Sequence, residues 1–259
     1  MENLELYHYF IIIFGSALAG AINTLAGNGS AITLTILTEI LHLPGNIANG
    51  TNRVGVIFAG FASTFAFYQN GKLDVRSNKL PIFFITLGAV AGVIVATQVS
   101  NEQFKEVFRF MMVAMLFVIL IKPKRWLQKT DPSKKVNLWL AIPLFLVLGF
   151  YGGFIQMGMG VLFLIVMVLV ANYNIMDANV VKAFVVALYT IAAVAIFHWQ
   201  GLIDWKIGML MAVGQTAGGW LTAHYASQYP KADVWAYRVL IVVVIWAILR
   251  MFGVFEFLF

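Results

Sequence analysis

Two glycine-rich interruptions and two isolated cations are where residue types and spacing in this chain could do chemistry. The first interruption reads Asn23-Thr24-Leu25-Ala26-Gly27-Asn28-Gly29-Ser30, and the second reads Gln156-Met157-Gly158-Met159-Gly160. Paired glycines release backbone amides from helical bonding, so those amides can face a ligand. A helix starting just beyond them directs its partial positive end at the break, which suits an anion. The competing use of such glycines is close packing between membrane helices. Packing alone has no need of Asn23, Asn28, Ser30 or Gln156.

The cations are Arg53 and Lys182. Arg53 closes Ala48-Asn49-Gly50-Thr51-Asn52-Arg53 and is followed by uncharged residues to Phe67; Lys182 closes Ala178-Asn179-Val180-Val181-Lys182 and is followed by uncharged residues to Phe197. A cation at bilayer depth costs at least about 2.5–3.5 kcal/mol and is functional by default. Arg offers an oxyanion a bidentate fork, and Lys a point charge. The alternative for both is snorkelling to a headgroup from a helix end. Thr51 and Asn52 stand beside Arg53 as further candidate contacts.

Glu39 interrupts another apolar run, with His42 three residues on and so expected on the same helix face. A protonatable carboxylate there is the candidate proton-coupling group, the alternative being an interfacial position. The chain contains no Cys, which removes disulfides, thiolate metal sites and cysteine nucleophiles. No helical His pair, serine triad order or phosphate-cradling loop is present. Neither a metal nor an organic cofactor is expected, and enzymatic activity is not expected.

The elements that must position these residues follow from composition. Of 259 residues, 61% are hydrophobic and only 11% are charged, against about 25% charged in a soluble domain. Mean hydropathy is +0.88. So few charges could not cover a water-facing surface, and disorder would need the opposite composition. The apolar runs are continuous rather than alternating, as in Met111 to Ile121 and Val239 to Leu249. That pattern gives membrane helices and excludes a barrel. The chain is expected to be an all-α, multi-pass membrane protein with no separate soluble domain. The N-terminal run follows Glu2 and Glu5 and is expected to be a retained segment rather than a removed signal peptide.

Apolar segments lie near 8–26, 30–43, 47–69, 80–99 and 107–121, then near 138–157, 160–171, 178–199, 206–227 and 235–252. Between the two sets, residues 122–135 carry six Lys or Arg and one Asp. The net charge of +6 thus reflects a cytoplasmic loop and not a nucleic-acid partner. The turn 71–79 carries three more basic residues and is expected on the same side. Trp126, Trp199, Trp205 and Trp235 flank segment ends, as interfacial aromatic residues do.

The chain also repeats itself. Ala48-Asn49 recurs as Ala178-Asn179 and Gly71-x-x-Asp74 as Gly201-x-x-Asp204, at a spacing of 130. Gly27 and Gly29 recur as Gly158 and Gly160 at 131, and Arg109 recurs as Arg238 at 129. The organisation expected is a first repeat over 1–121, a basic cytoplasmic linker over 122–137 and a second repeat over 138–259. Whether the glycine-broken regions cross as one element or two decides between four crossings per half with parallel halves and five with inverted halves. The absence of Lys or Arg before Arg53 favours an outside N-terminus and the second arrangement.

With these motifs in hand, the chain resembles the TauE/SafE family of sulfite exporters. The resemblance rests on Ala19-Gly20, Gly27-Asn28-Gly29-Ser30, Ala48-Asn49-Gly50-Thr51-Asn52 and Gly71-x-x-Asp74. It continues through Gly149, Gly152-Gly153, Gly158-Met159-Gly160, Ala178 and Gly201-x-x-Asp204, so it covers nearly the whole chain. It implies a bacterial or archaeal-type inner-membrane permease of duplicated helical halves, with about eight crossings in typical members. It also implies transport of small sulfur anions such as sulfite, thiosulfate, sulfoacetate or other sulfonates. The chain departs from the family's pattern at Asn28, Ser30, Thr33 and Thr35, where an extra glycine and a proline are common. It departs again at Val180, Val181 and Lys182, which replace small or hydroxyl residues.

The expected function is therefore a secondary transporter of a small sulfur-containing anion, with about 8–10 membrane segments and alternating access between the halves. Its partners would be that anion and membrane lipids. Gly27, Asn28, Gly29, Gly158 and Gly160 would offer donors, Arg53 and Lys182 charge, and Glu39 a coupling proton. A non-transporting assembly or sensor subunit docked through 122–135 is the main alternative. A membrane enzyme acting on a lipid or quinone is the other, and it lacks a recognisable catalytic cluster.

Overall fold

A computed structural model describes residues 5–69, 74–76, 78–120, 137–173 and 175–225, together with 238, 241–242, 244–249 and 252. The described residues form an all-α membrane protein. In chain order the helices are α1 (Leu6–Ala26), α2 (Gly29–Thr35) with a π-helical turn (Ile36–Ile40), α3 (Gly45–Gln69), α4 (Lys79–Gln98) and α5 (Asn101–Leu120). There follow α6 (Leu138–Phe154), α7 (Met159–Leu169), α8 (Ile175–Trp199) and α9 (Trp205–Tyr225). Arg238 and residues 241–242 and 244–249 are also helical. Three stretches are long and apolar enough to cross a bilayer: 6–24 of α1, Lys79–Gln98 and 177–199 of α8. Residues 122–136 of the expected linker 122–137, and residues 71–73 and 77 of the turn 71–79, lie outside the described residues.

Helices dominate because the bilayer offers backbone amides no water, so each segment must satisfy its own. Their ends are marked by local chemistry. Ser100 and Gln103 exchange side-chain bonds with each other's backbone N–H at 3.2 and 3.0 Å, a capping box that starts α5. This start lies six residues before the apolar run that foretold the helix, because its first turns carry Glu102, Lys105 and Glu106. Gly201, with φ of 68°, ends α8, and the Asp204 carboxylate accepts from the Ile207 N–H at 3.0 Å to open α9. The Gly-x-x-Asp motif here is a helix stop followed by a helix start.

The two glycine breaks have a common form. Gly27 takes φ of 72° and closes α1, its N–H donating to the Asn23 carbonyl at 3.0 Å. Gly158 takes φ of 70° and opens α7. Beyond each break runs a short apolar helix, Gly29–Ile40 or Met159–Leu169. At about 1.5 Å per residue neither is long enough to span the hydrocarbon core alone. The first short helix ends in the π-helical turn, and His42 then adopts φ of 51°. The helical register assumed for Glu39 and His42 therefore breaks between them, so the expected same-face pair is not formed.

Positions related by the spacing of 129–131 make matching contacts. Gly88 of α4 lies against the Leu146 carbonyl of α6, and Gly218 of α9 lies against the Ala17 carbonyl of α1. Gly149 of α6 meets Ile85 of α4, and Gly20 of α1 meets Gln215 of α9. In each case a Cβ would run into backbone, so glycine is what permits the approach. Gly92 lies against the Phe150 carbonyl, four residues on along both helices from Gly88 and Leu146. Gly214 lies against the Ile13 carbonyl, four residues back along both from Gly218 and Ala17, so α4 runs parallel to α6 and α1 parallel to α9. Helix α3 meets α8 with Gly60 on Ala187 and Gly50 on Phe197, which is an antiparallel crossing. Apolar clusters wrap these pairs. One joins Phe104, Phe108, Met112 and Met115 to Ile155 and Met157; another joins Ile85, Phe145, Phe163, Met167 and Tyr189.

Candidate functional site

The breaks meet in the interior. Gly27 and Gly160 are in direct backbone contact: a side chain on Gly160 would collide with the Gly27 backbone, and one on Gly27 would press tightly on that of Gly160. Beside this crossing lies a cavity of about 520 Å³. Helix α3 lines it from Val56 to Phe67, and α8 lines it from Asn179 to Val186. Lys182 is the charged residue among its described lining, and no carboxylate shares that lining. Asn23, Ser30, Gln156, Asn179 and Gln215 supply uncharged polar groups, while Val56, Ala59, Ala183 and Val186 supply an apolar wall. Thr24, Ser63 and Trp220 stand at its rim and are exposed.

Lys182 donates from Nζ to the Asn179 carboxamide at 2.7 Å, across three residues of α8. That bond orients the ammonium and leaves it two more hydrogens to donate. Because α3 and α8 cross antiparallel, Lys182 sits beside the C-terminal half of α3. Arg53 sits in the N-terminal half, on the far side of the crossing.

Arg53 has a different role from a lining residue. It is fully buried, at 0% exposure, and lies outside the cavity. Its Nη1 donates to the Gly152 carbonyl at 2.8 Å and to Gln156 Oε1 at 2.5 Å. Its Nη2 donates to the Gly153 carbonyl at 2.6 Å and to Asn49 Oδ1 at 3.2 Å. Asn49 in turn donates to the Phe154 carbonyl at 2.7 Å. The carbonyls at the C-terminal end of α6, freed by the break, are thus taken up by one guanidinium and one amide. The partial negative charge of that helix end favours a cation there. The Phe197 ring lies 5.9 Å from the guanidinium carbon on the α8 side.

Gln156 joins the two environments. It binds Arg53 and also lines the cavity, and it holds φ of 61°, an unusual value for a residue with a Cβ. Such strain persists only where surrounding structure over-determines it. The Tyr151 hydroxyl fixes the same loop by donating to the Met157 carbonyl at 2.5 Å.

Of the residues singled out from sequence, the structure brings Asn23, Gly27, Ser30, Gln156, Gly160 and Lys182 to the cavity. The others lie elsewhere. Gly29 packs on the Ala19 carbonyl and Gly158 on Met115, which is the close-packing use of glycine. Thr51 accepts from the Asp204 N–H at 2.9 Å, pinning the α8–α9 turn. Asn52 accepts from the Thr33 hydroxyl at 2.6 Å, tying α3 to α2. Asn28 is buried at the start of α2, and both its side-chain polar atoms lack partners among the described residues. Glu39 is half-buried in the π-helical turn, away from the cavity. Asn179 and Gln215 were not singled out. Asn179 could have been, since it repeats Asn49 at 130; Gln215 has no such signal, because its counterpart at 130 is Ile85.

Comparison with known proteins agrees with this architecture. The family described as sulfite exporter TauE/SafE matches residues 12–251. A probable membrane transporter protein of Sinorhizobium, ORF9, is 26% identical over 228 residues, covering 87% of this chain and 86% of its own. YfcA of Escherichia coli K12, likewise a probable membrane transporter protein, is 24% identical over 212 residues, covering 80% and 77%. YunE of Bacillus subtilis, of the same description, is 24% identical over 242 residues, covering 83% and 87%. No solved structure matches the chain. A family match over nearly the whole chain, relatives described as transporters, and an all-helical membrane fold lead to one conclusion: the chain belongs to the sulfite exporter TauE/SafE family and is a membrane transporter, not an enzyme.

Proposed function

We propose that this transporter carries a small, singly charged sulfur oxyanion, such as hydrogen sulfite or a sulfonate, and binds it in the cavity beside Lys182. The observation that carries this reading is the lining: one ammonium, several neutral polar groups and no carboxylate among the described lining residues. An anion entering a partly desolvated space needs a compensating charge and hydrogen-bond donors. A single cation matches a single negative charge and leaves a dianion uncompensated. Gln156, polarised by its bond to Arg53, and the backbone N–H of Gly160 complete the donor set; the Gly27 N–H, committed to the Asn23 carbonyl, adds none.

The same reading makes 1–121 and 138–259 inverted repeats joined by a cytoplasmic linker at 122–137. The antiparallel crossing of α3 and α8, which match at a spacing of 130, supports inversion over parallel repeats. With the basic turn at 71–79 in the cytoplasm of an inner membrane, the cavity rim at Ser63 and Trp220 faces that side. Arg53 then holds the opposite side closed through the α6–α7 break. Alternating access would exchange the two conditions, opening the Arg53 side and closing the Lys182 side. Proton coupling through Glu39 is a separable part of this reading.

The test is uptake of sulfite and methanesulfonate into liposomes holding the purified protein. Lys182→Met should abolish flux that the wild type shows, and sulfate should compete poorly. Flux that is unchanged in Lys182→Met would remove the cavity from the transport path. Flux driven by a pH gradient and lost in Glu39→Gln would support the coupling role, and flux indifferent to both would end it.

A further inference from the structure

We propose that Gln215 is an anion-binding residue of the cavity, its carboxamide donating a hydrogen bond to the same oxyanion that Lys182 neutralises. The inference rests on the cavity being the anion site, and adds a residue that neither motif nor repeat would select.

Gln215 lines the cavity from α9, yet is only 5% exposed, and its Nε2 finds no hydrogen-bond partner among the described residues. A buried carboxamide donor left unpaired is costly, so its retention asks for a partner that arrives from outside the chain. Two glycines make room for it. A side chain on Gly20 of α1 would strike the Gln215 backbone, and one on Gly55 of α3 would strike its carboxamide. The group is therefore seated between three helices with little freedom to turn away.

The fold supplies its own control for this position. At a spacing of 130, Gln215 corresponds to Ile85, which is fully buried and makes the same contact, its backbone against Gly149 as that of Gln215 is against Gly20. Helix packing at this place is thus satisfied by an aliphatic residue. What Ile85 does not share is the cavity, whose lining includes Lys182, Asn179 and Gln215 but not Ile85. The carboxamide at 215 is accounted for by ligand contact, and packing gives no reason for it. A neutral donor also leaves the charge of the site unchanged, so it strengthens binding of a monoanion without favouring a dianion.

The experiment measures binding of methanesulfonate and sulfite to the purified full chain by calorimetry and thermal shift. It compares the wild type with Gln215→Ile, Gln215→Met, Gln215→Glu and Lys182→Met. Gln215→Ile copies the packing that the fold accepts at Ile85, and Gln215→Met keeps the unbranched shape should the first variant fold poorly. Both should melt near the wild type without ligand and bind at least about tenfold more weakly, the usual effect of losing a donor to a charged group. Gln215→Glu should bind more weakly still, because it sets a like charge beside the anion. If Gln215→Ile or Gln215→Met binds as the wild type does while Lys182→Met does not, the cavity stands and the role of Gln215 is overturned. If Lys182→Met binds as the wild type does, or the wild type binds neither probe, the cavity reading fails and this inference falls with it.

Discussion

Gln156 accepts a hydrogen bond from Arg53 Nη1 at 2.5 Å while itself lining the cavity that Arg53 does not reach. A fully buried guanidinium is thus tied to the α6–α7 break through Gly152, Gly153 and Gln156, on the far side of the crossing from Lys182. Removing it should damage the fold before it touches any ligand. Arg53→Ala leaves two main-chain carbonyls, Gln156 Oε1 and Asn49 Oδ1 without their donor, and a loss of about 3 kcal/mol or more is expected. Arg53→Lys keeps the charge but cannot span these acceptors as a planar fork, so it should recover only part. Detergent-solubilised melting or denaturant titration of the two variants would show this order; equal stability of Arg53→Ala and wild type would contradict it.

The glycines should separate by environment and not by type. Gly160→Ala collides with the Gly27 carbonyl at the meeting of the two breaks, where neither strand can yield independently. Gly201→Ala meets nothing, and its cost is confined to the left-handed backbone, about 1–2 kcal/mol. Gly160→Ala should therefore be the more damaging, even though Gly160 does not take a positive φ. Side-by-side melting temperatures decide the point.

Lys182→Met should leave the unliganded protein folded, because the aliphatic stem is kept and the hydrogen bond given up is the one to Asn179. What should vanish is stabilisation by anion. A ligand present at about 100 times its dissociation constant adds about 2.7 kcal/mol to the wild type, and Lys182→Met should show none of it. Thermal shift with and without sulfite measures both halves of this expectation.

The absence of Cys from the chain makes the direction of the cavity measurable without background labelling. Ser63→Cys, at the exposed rim, should react with a membrane-impermeant maleimide applied from the cytoplasmic side. Asn49→Cys, fully buried beside Arg53, should not. Protection of Ser63→Cys by sulfite would tie the rim to ligand entry. Labelling of Ser63→Cys from the opposite face alone would reverse the orientation drawn from the basic turn.

Much of this was legible in the sequence because local physics decides it. Continuous apolar runs can be nothing but membrane helices in a chain with 11% charged residues, and the segment limits fall within a few residues of the observed helices except at α5. There the cap at Ser100 and Gln103 outweighs the loss of hydrophobicity. The breaks were legible too, since Gly27 and Gly158 take the left-handed backbone that other residues avoid. Glu39 and His42 were misjudged as face-sharing neighbours because a helical period was carried past the point where the backbone leaves the helix.

The sequence by itself determined that this is an all-helical membrane transporter of its family, where its helices stop, and that its interior must hold two cations. Which cation meets the cavity was decided only by tertiary structure. Arg53 and Lys182 occupy matching places in the order of residues, but α3 and α8 cross antiparallel and carry them to opposite sides. There the longer, forked side chain is consumed by the carbonyls of α6, and the shorter one is left beside open space. The packing of α9 on α1 and α3 brings Gln215 to the cavity that Lys182 lines, from more than thirty residues away along the chain. Spacing along one helix cannot report such a meeting, because it depends on which helices pack together and in which direction they run.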